Sequence, residues 1–173
     1  MAGTLMDIHV ISDILKTLVF VTDVLIVAYV LWLLVRREVP PFIKRYGFHI
    51  AFVVALVSTV GSLYYSHILG YAPCLLCWFQ RIFMYPLVII CGIAMVTKER
   101  QIAKYVVSLA VIGLIFAVWH YIIQRFPLAS ICDIGGSCAR QYTFAFGYIT
   151  IAMMAITGFV AIILLMWPKL RAK

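Results

Sequence analysis

Two pairs of cysteines are the residues most able to do chemistry in this sequence. Cys74 and Cys77 stand in Pro73-Cys74-Leu75-Leu76-Cys77, and Cys132 and Cys138 flank Asp133-Ile134-Gly135-Gly136-Ser137. The two-residue spacer of the first pair closes a small ring that opens easily. The pair lies just ahead of an apolar helical stretch, where the positive end of a helix dipole favours thiolate, the species that attacks a disulfide. In the second pair Gly135 and Gly136 permit a tight ring. Such a ring removes little loop entropy from the unfolded chain and staples poorly. Both pairs therefore read as redox-active, the second suited to exchange with another protein. Two other readings stay open: one structural zinc held by the four cysteines, or two structural disulfides. Against zinc, neither loop carries a histidine beyond His67. The fifth cysteine, Cys91, sits inside an apolar stretch and reads as an inert filler.

The elements that position these sulfurs are membrane helices. Of the 173 residues, 66% are hydrophobic and only 12% charged, against about 45–50% and about 25% in a soluble domain. A chain this short cannot hide so much apolar surface from water. That excludes a secreted enzyme, a nucleic-acid-binding module and a disordered chain. Five apolar stretches, roughly 14–35, 48–69, 78–96, 105–124 and 142–167, each approach the ~20 residues a spanning helix needs. The third is the weakest, interrupted by Arg81 and Pro86. The expected fold is an all-α membrane protein of consecutive antiparallel helices. The first stretch reads as a retained helix and not a cleaved leader, because Arg36 and Arg37 come after it and no basic run precedes it.

Charge placement orients the chain. Ten of the fourteen basic residues lie between stretches one and two, between three and four, or after five, among them Arg36, Arg37, Lys44, Arg45, Arg100, Lys104 and Lys169. By the positive-inside rule that side is cytoplasmic, so the net charge of +8 reads as a topology signal and a contact with anionic lipid, not with nucleic acid. Both cysteine pairs then fall in outward loops, the side on which disulfides persist.

The run Gly70-Tyr71-Ala72-Pro73-Cys74-Leu75-Leu76-Cys77-Trp78-Phe79-Gln80-Arg81, followed by a second outward pair, resembles the DsbB family of quinone-dependent thiol oxidases of bacterial membranes. The closely spaced second pair and the stretch Trp78 to Pro86 look most like its short BdbC-type members. The resemblance covers about residues 46–167. It implies a four-helix transmembrane domain over 41–173, with an additional N-terminal transmembrane helix in 1–40 that the family pattern lacks. It also implies a multi-pass protein of the bacterial cytoplasmic membrane with both pairs on the outer face. In the related vitamin K epoxide reductases the loop pair precedes the CxxC; here it comes after.

The resemblance further implies a relay. A reduced, extracytoplasmic thioredoxin-fold (DsbA-like) partner would attack the Cys132–Cys138 disulfide at Cys132. Electrons would pass to Cys74–Cys77 and then to a membrane quinone, menaquinone or ubiquinone. Arg81, four residues after Cys77 and on the same helix face, matches the family's quinone arginine; a fixed cation there favours both a thiolate and a developing oxyanion. On its own it could equally snorkel outward. His120, near the outer end of the fourth stretch, is implied as a donor to the quinone, with a hydrogen-bonded packing role as the alternative. His49 lies at the wrong end. Asp23, mid-way along the first stretch, should be protonated, paired or facing a polar cavity, and a link to proton uptake is an expectation. Trp78, Phe79, Trp119, Tyr121 and Tyr142 read as interfacial anchors, some as quinone walls. Two other functions remain: a quinone reductase of the vitamin K epoxide reductase kind, or a membrane subunit with structural disulfides.

Overall fold

The computed structural model describes residues 2–97, 99–126 and 138–171. It is built from α1 (Ala2–Arg36), α2 (Pro41–Leu63), α3 (Leu75–Thr97), α4 (Ile102–Arg125) and α5 (Ile151–Arg171). Among the described residues, five helices are long and apolar enough to cross a membrane.

Local chemistry sets most of the boundaries. Pro41 opens α2 at a position whose N–H would have no helical partner. At its far end α2 widens into a π turn over Tyr64–Ile68, and Gly70, at φ 68°, reverses the chain toward the cysteines. Pro86 lies within α3 without ending it. The first helix begins well before the expected position 14, and its 35 residues span about 52 Å at the usual helical rise. The fifth begins later than expected, at Ile151 and not near 142. Phe146 (φ 50°) and Gly147 (φ 78°) make a tight turn closed by paired backbone hydrogen bonds between Ala145 and Ile149. Thr150 then caps α5 by accepting the Met153 N–H at 3.3 Å.

Helices α2 to α5 close a ring in which each packs on two neighbours, while α1 lies outside it, mainly against α5. Small residues allow the close approach: Ala51, Ala55, Ala94, Ala103, Ala110 and Ala117 are all fully buried. Gly113 is the tightest point, because a Cβ there would stand 2.3 Å from the buried Phe159 ring. Cys91 is fully enclosed in this core beside Leu87, in keeping with a filler.

Candidate functional site

The first cysteine pair straddles the start of α3. Cys74 is the residue before the helix, its carbonyl accepting the Trp78 N–H, and Cys77 sits in the first turn. Their Sγ atoms are 3.0 Å apart. A helix N-terminus should ease a thiol toward thiolate, yet Cys74 goes the other way: the Cys77 sulfur beside it, then burial, push its thiol up to about 12, with His120 opposing. The helix end gives Cys74 no net help because the neighbouring sulfur and the loss of water outweigh it.

His120, only 2% exposed, projects from α4 onto this pair. Its Nε2 lies 3.6 Å from Cys74 Sγ, and Gln80 of α3 donates to its Nδ1 at 2.9 Å. The other ring nitrogen, Nε2, faces Cys74 and stands 3.3 Å from the Gln124 amide nitrogen, so both ring nitrogens lie against polar neighbours. The Gln141 side chain donates to the Gln124 backbone carbonyl at 2.8 Å. Gln80 and Gln124 escaped the sequence reading, although an amide inside an apolar helix is itself a signal that a partner waits across the bundle.

Cys138 is buried in the same group, packed with Cys74 and Leu76 and flanked by Cys77, Phe116 and Ile123. One sulfur of the second pair thus reaches the first. Cys132, named with it from the sequence, lies outside the described residues.

On the opposite side of the pair, Cys77 lines a cavity of about 140 Å³, roughly ten times the ~10–15 Å³ that one water needs. Arg81 lines it too, with Nε donating to Ser62 Oγ at 2.9 Å, Nη2 to the Ser62 carbonyl at 3.1 Å, and the guanidinium over the Trp78 ring. These bonds fix the cation at the cavity edge, where it stays instead of extending outward. Tyr65, Tyr71 and Tyr142 stack in sequence along the cavity, at 6.0 and 4.6 Å between centroids. Of this stack only Tyr142 was expected. Of the other expected aromatics, Trp78 and Trp119 are about half exposed, as belt anchors are, and Phe79 stacks on Phe116 away from the cavity. His120 is not among the cavity residues; it meets the pair from the Cys74 side.

The arrangement separates two functions across one dithiol. Cys74 faces a histidine, in a buried cluster that also holds Cys138, a setting for thiol–disulfide exchange. Cys77 faces an apolar chamber with one fixed cation, a setting for delivering electrons to an apolar acceptor. The two sulfurs and a His120 ring nitrogen also lie within 4.8 Å of one another, close enough for three ligands to a soft metal.

Comparison with known proteins agrees in kind. Residues 44–168 match the family model "Disulfide bond formation protein DsbB". The chain is 44% identical over 119 residues to disulfide bond formation protein C of Bacillus subtilis, covering 67% of this chain and 86% of that protein. It is 40% identical over 124 residues to probable disulfide formation protein C 1 of Bacillus anthracis, covering 69% and 88%. A prophage-derived disulfide bond formation protein B of Bacillus subtilis is 42% identical over 123 residues, covering 70% and 82%. No solved structure matches the chain.

Proposed function

The chain belongs to the DsbB family of disulfide bond formation proteins, and on that premise we propose that it is a quinone-dependent thiol oxidase that reoxidises an extracytoplasmic thioredoxin-fold partner. The observation that carries this reading is the setting of the first dithiol: Cys77 shares a cavity with Arg81, Cys74 meets His120, and Cys138 is buried in the same cluster as the pair. In architectural terms α2 to α5 form the family's four-helix transmembrane domain and α1 is an addition to it.

The reaction balances as a transfer of two electrons and two protons: the partner's dithiol becomes a disulfide and a quinone becomes a quinol. The partner thiolate attacks the Cys132–Cys138 disulfide at Cys132. Cys138, released, attacks the Cys74–Cys77 disulfide at Cys74, a member of the same buried cluster. The partner's second thiol then displaces Cys132 and completes the partner's disulfide; the freed Cys132 attacks the Cys138–Cys74 bond, which restores Cys132–Cys138 and leaves Cys74 and Cys77 carrying both electrons. His120, held at Nδ1 by Gln80, has its Nε2 placed to move a proton to or from Cys74. A quinone supplies the two-electron sink that restores the pair. The residues that would hold it are the apolar lining around Met84, Met154 and Ala155, the tyrosine stack, and Arg81. That lining suits a ring with a lipid tail, and Arg81 balances negative charge gained on an oxygen beside Cys77.

The direct test uses membranes holding the full chain, a reduced thioredoxin-fold protein and a quinone. Partner oxidation should vanish in Cys74→Ala and Cys77→Ala variants and survive treatment with a metal chelator. Wild-type rates in either variant would overturn the relay, and loss of the wild-type rate to the chelator would favour a metal held by Cys74, Cys77 and His120.

A further inference from the structure

Helix α1 lies outside the segment that matches the family, yet three of its residues, Leu15, Leu18 and Val19, line the cavity shared by Cys77 and Arg81. Most of α1 faces away from the protein: Val24, Leu25, Val27, Leu31 and Leu34 are all more than half exposed. An apolar helix with so little cover has nothing in lipid to fix its rotation, because lipid tails are as apolar as its neighbours. Polar contacts can fix it. The Ser12 hydroxyl lies 3.4 Å from the Tyr65 hydroxyl. Further along, the Asp23 carboxylate accepts hydrogen bonds from the Tyr148 hydroxyl at 2.9 Å and the Thr157 hydroxyl at 2.6 Å. Phe20 stacks on Phe146 beside this latch. Ser12, Leu15, Val19 and Asp23 succeed one another at steps of three and four, so they form one stripe. Seating Asp23 therefore turns Leu15 and Val19 toward the cavity.

We propose that α1 is the lipid-side wall of the acceptor cavity and that Asp23 is the positioning residue that holds this wall in register, so the chain's affinity for its lipid-soluble acceptor depends on a helix outside the family segment. This rests on the quinone reading for the identity of the acceptor, but not for the existence of the wall. Asp23 acts here through α1; it touches neither sulfur nor cavity.

The experiment compares wild type with Asp23→Leu, Asp23→Asn and Leu18→Trp in the full chain, purified in detergent, with folding checked by thermal melting. Two quantities are read: KM and kcat for a short-tailed quinone with a reduced thioredoxin-fold partner, and the rate at which lipid-soluble N-phenylmaleimide labels Cys77 of the reduced protein. Asp23→Leu should raise KM for the quinone roughly tenfold, the scale on which one missing apolar contact counts in a pocket, leave kcat at saturation, and speed Cys77 labelling. Asp23→Asn, whose Oδ1 still accepts from one hydroxyl while its Nδ2 can donate to the other, should restore wild-type values. Leu18→Trp should fill the cavity, raising KM while slowing labelling. If folded Asp23→Leu and Leu18→Trp proteins both keep wild-type KM and labelling rate, the wall is refuted. If no quinone supports turnover even in wild type, the acceptor reading fails alone; altered Cys77 labelling in the variants then still upholds the wall.

Discussion

At the scale of single residues, the grouping of Cys74, Cys77 and Arg81 was legible because type and spacing suffice: a two-residue spacer joins two sulfurs, and a four-residue step puts a cation on the same face. What spacing could not supply is environment. Cys74 stands beside Cys77 Sγ and is almost wholly buried, and those two facts reverse the helix-end expectation. With its thiol pushed up to about 12, Cys74 of the reduced protein stays protonated at neutral pH. Since alkylation requires thiolate, its labelling by iodoacetamide should remain slow through pH 9 and climb only at more alkaline pH. His120→Ala should slow it further, because the group that opposes the upward shift is gone. Peptide mass spectrometry across a pH series checks this, and rapid Cys74 labelling at pH 8 would contradict it. Arg81 gives a second expectation. Arg81→Met should lower partner oxidation by about 10²-fold, as loss of a single preorganised charge-stabilising group does, while Arg81→Lys should recover only part of it because an ammonium cannot reproduce both bonds to Ser62. Turnover in membranes at saturating quinone measures both.

Element boundaries show where apolar runs mislead. The stretch from 142 onward is apolar enough to read as a continuous span, but Phe146 and Gly147 take left-handed backbone angles and Thr150 caps α5 behind them. The signal was present as Gly147 with a capping threonine three residues later, and hydropathy masked it. That turn matters to function, since it carries Tyr148 to Asp23 and leaves Tyr142 free to join the stack over the cavity. Gln80, Gln124, Tyr65 and Tyr71 were not legible for a different reason: their roles exist only once particular helices meet. Helix contact is itself sensitive to small residues, and Gly113 makes the point testable. Its Cβ-less surface receives the Phe159 ring, which is fully buried and has no room to retreat. Gly113→Ala should therefore cost about 1–3 kcal/mol through overpacking, seen as a lowered Tm in detergent.

For the molecule as a whole, the decisive quantity is the distribution of charge along the chain. The end of the bundle with the α1–α2 and α3–α4 connections and the end of α5 holds ten of the fourteen basic residues, Arg36, Arg37, Lys44, Arg45, Arg100, Lys104 and Lys169 among them. The opposite end carries Cys74 and Cys138. Because the hydrophobic driving force is the same for either orientation of an apolar bundle, this asymmetry decides which end meets the oxidising side. The relay requires that it be the cysteine end, since a thioredoxin-fold partner outside cannot reach a disulfide kept inside, and cytoplasmic reductants would open it. Exposed positions at each end report the outcome directly. In intact cells, a cysteine introduced as Arg140→Cys, beside Cys138, should react with a membrane-impermeant maleimide. One introduced as Gln101→Cys, between α3 and α4, should react only after permeabilisation. The reverse pattern would place both sulfur pairs in the reducing compartment and leave the proposed oxidase without a partner.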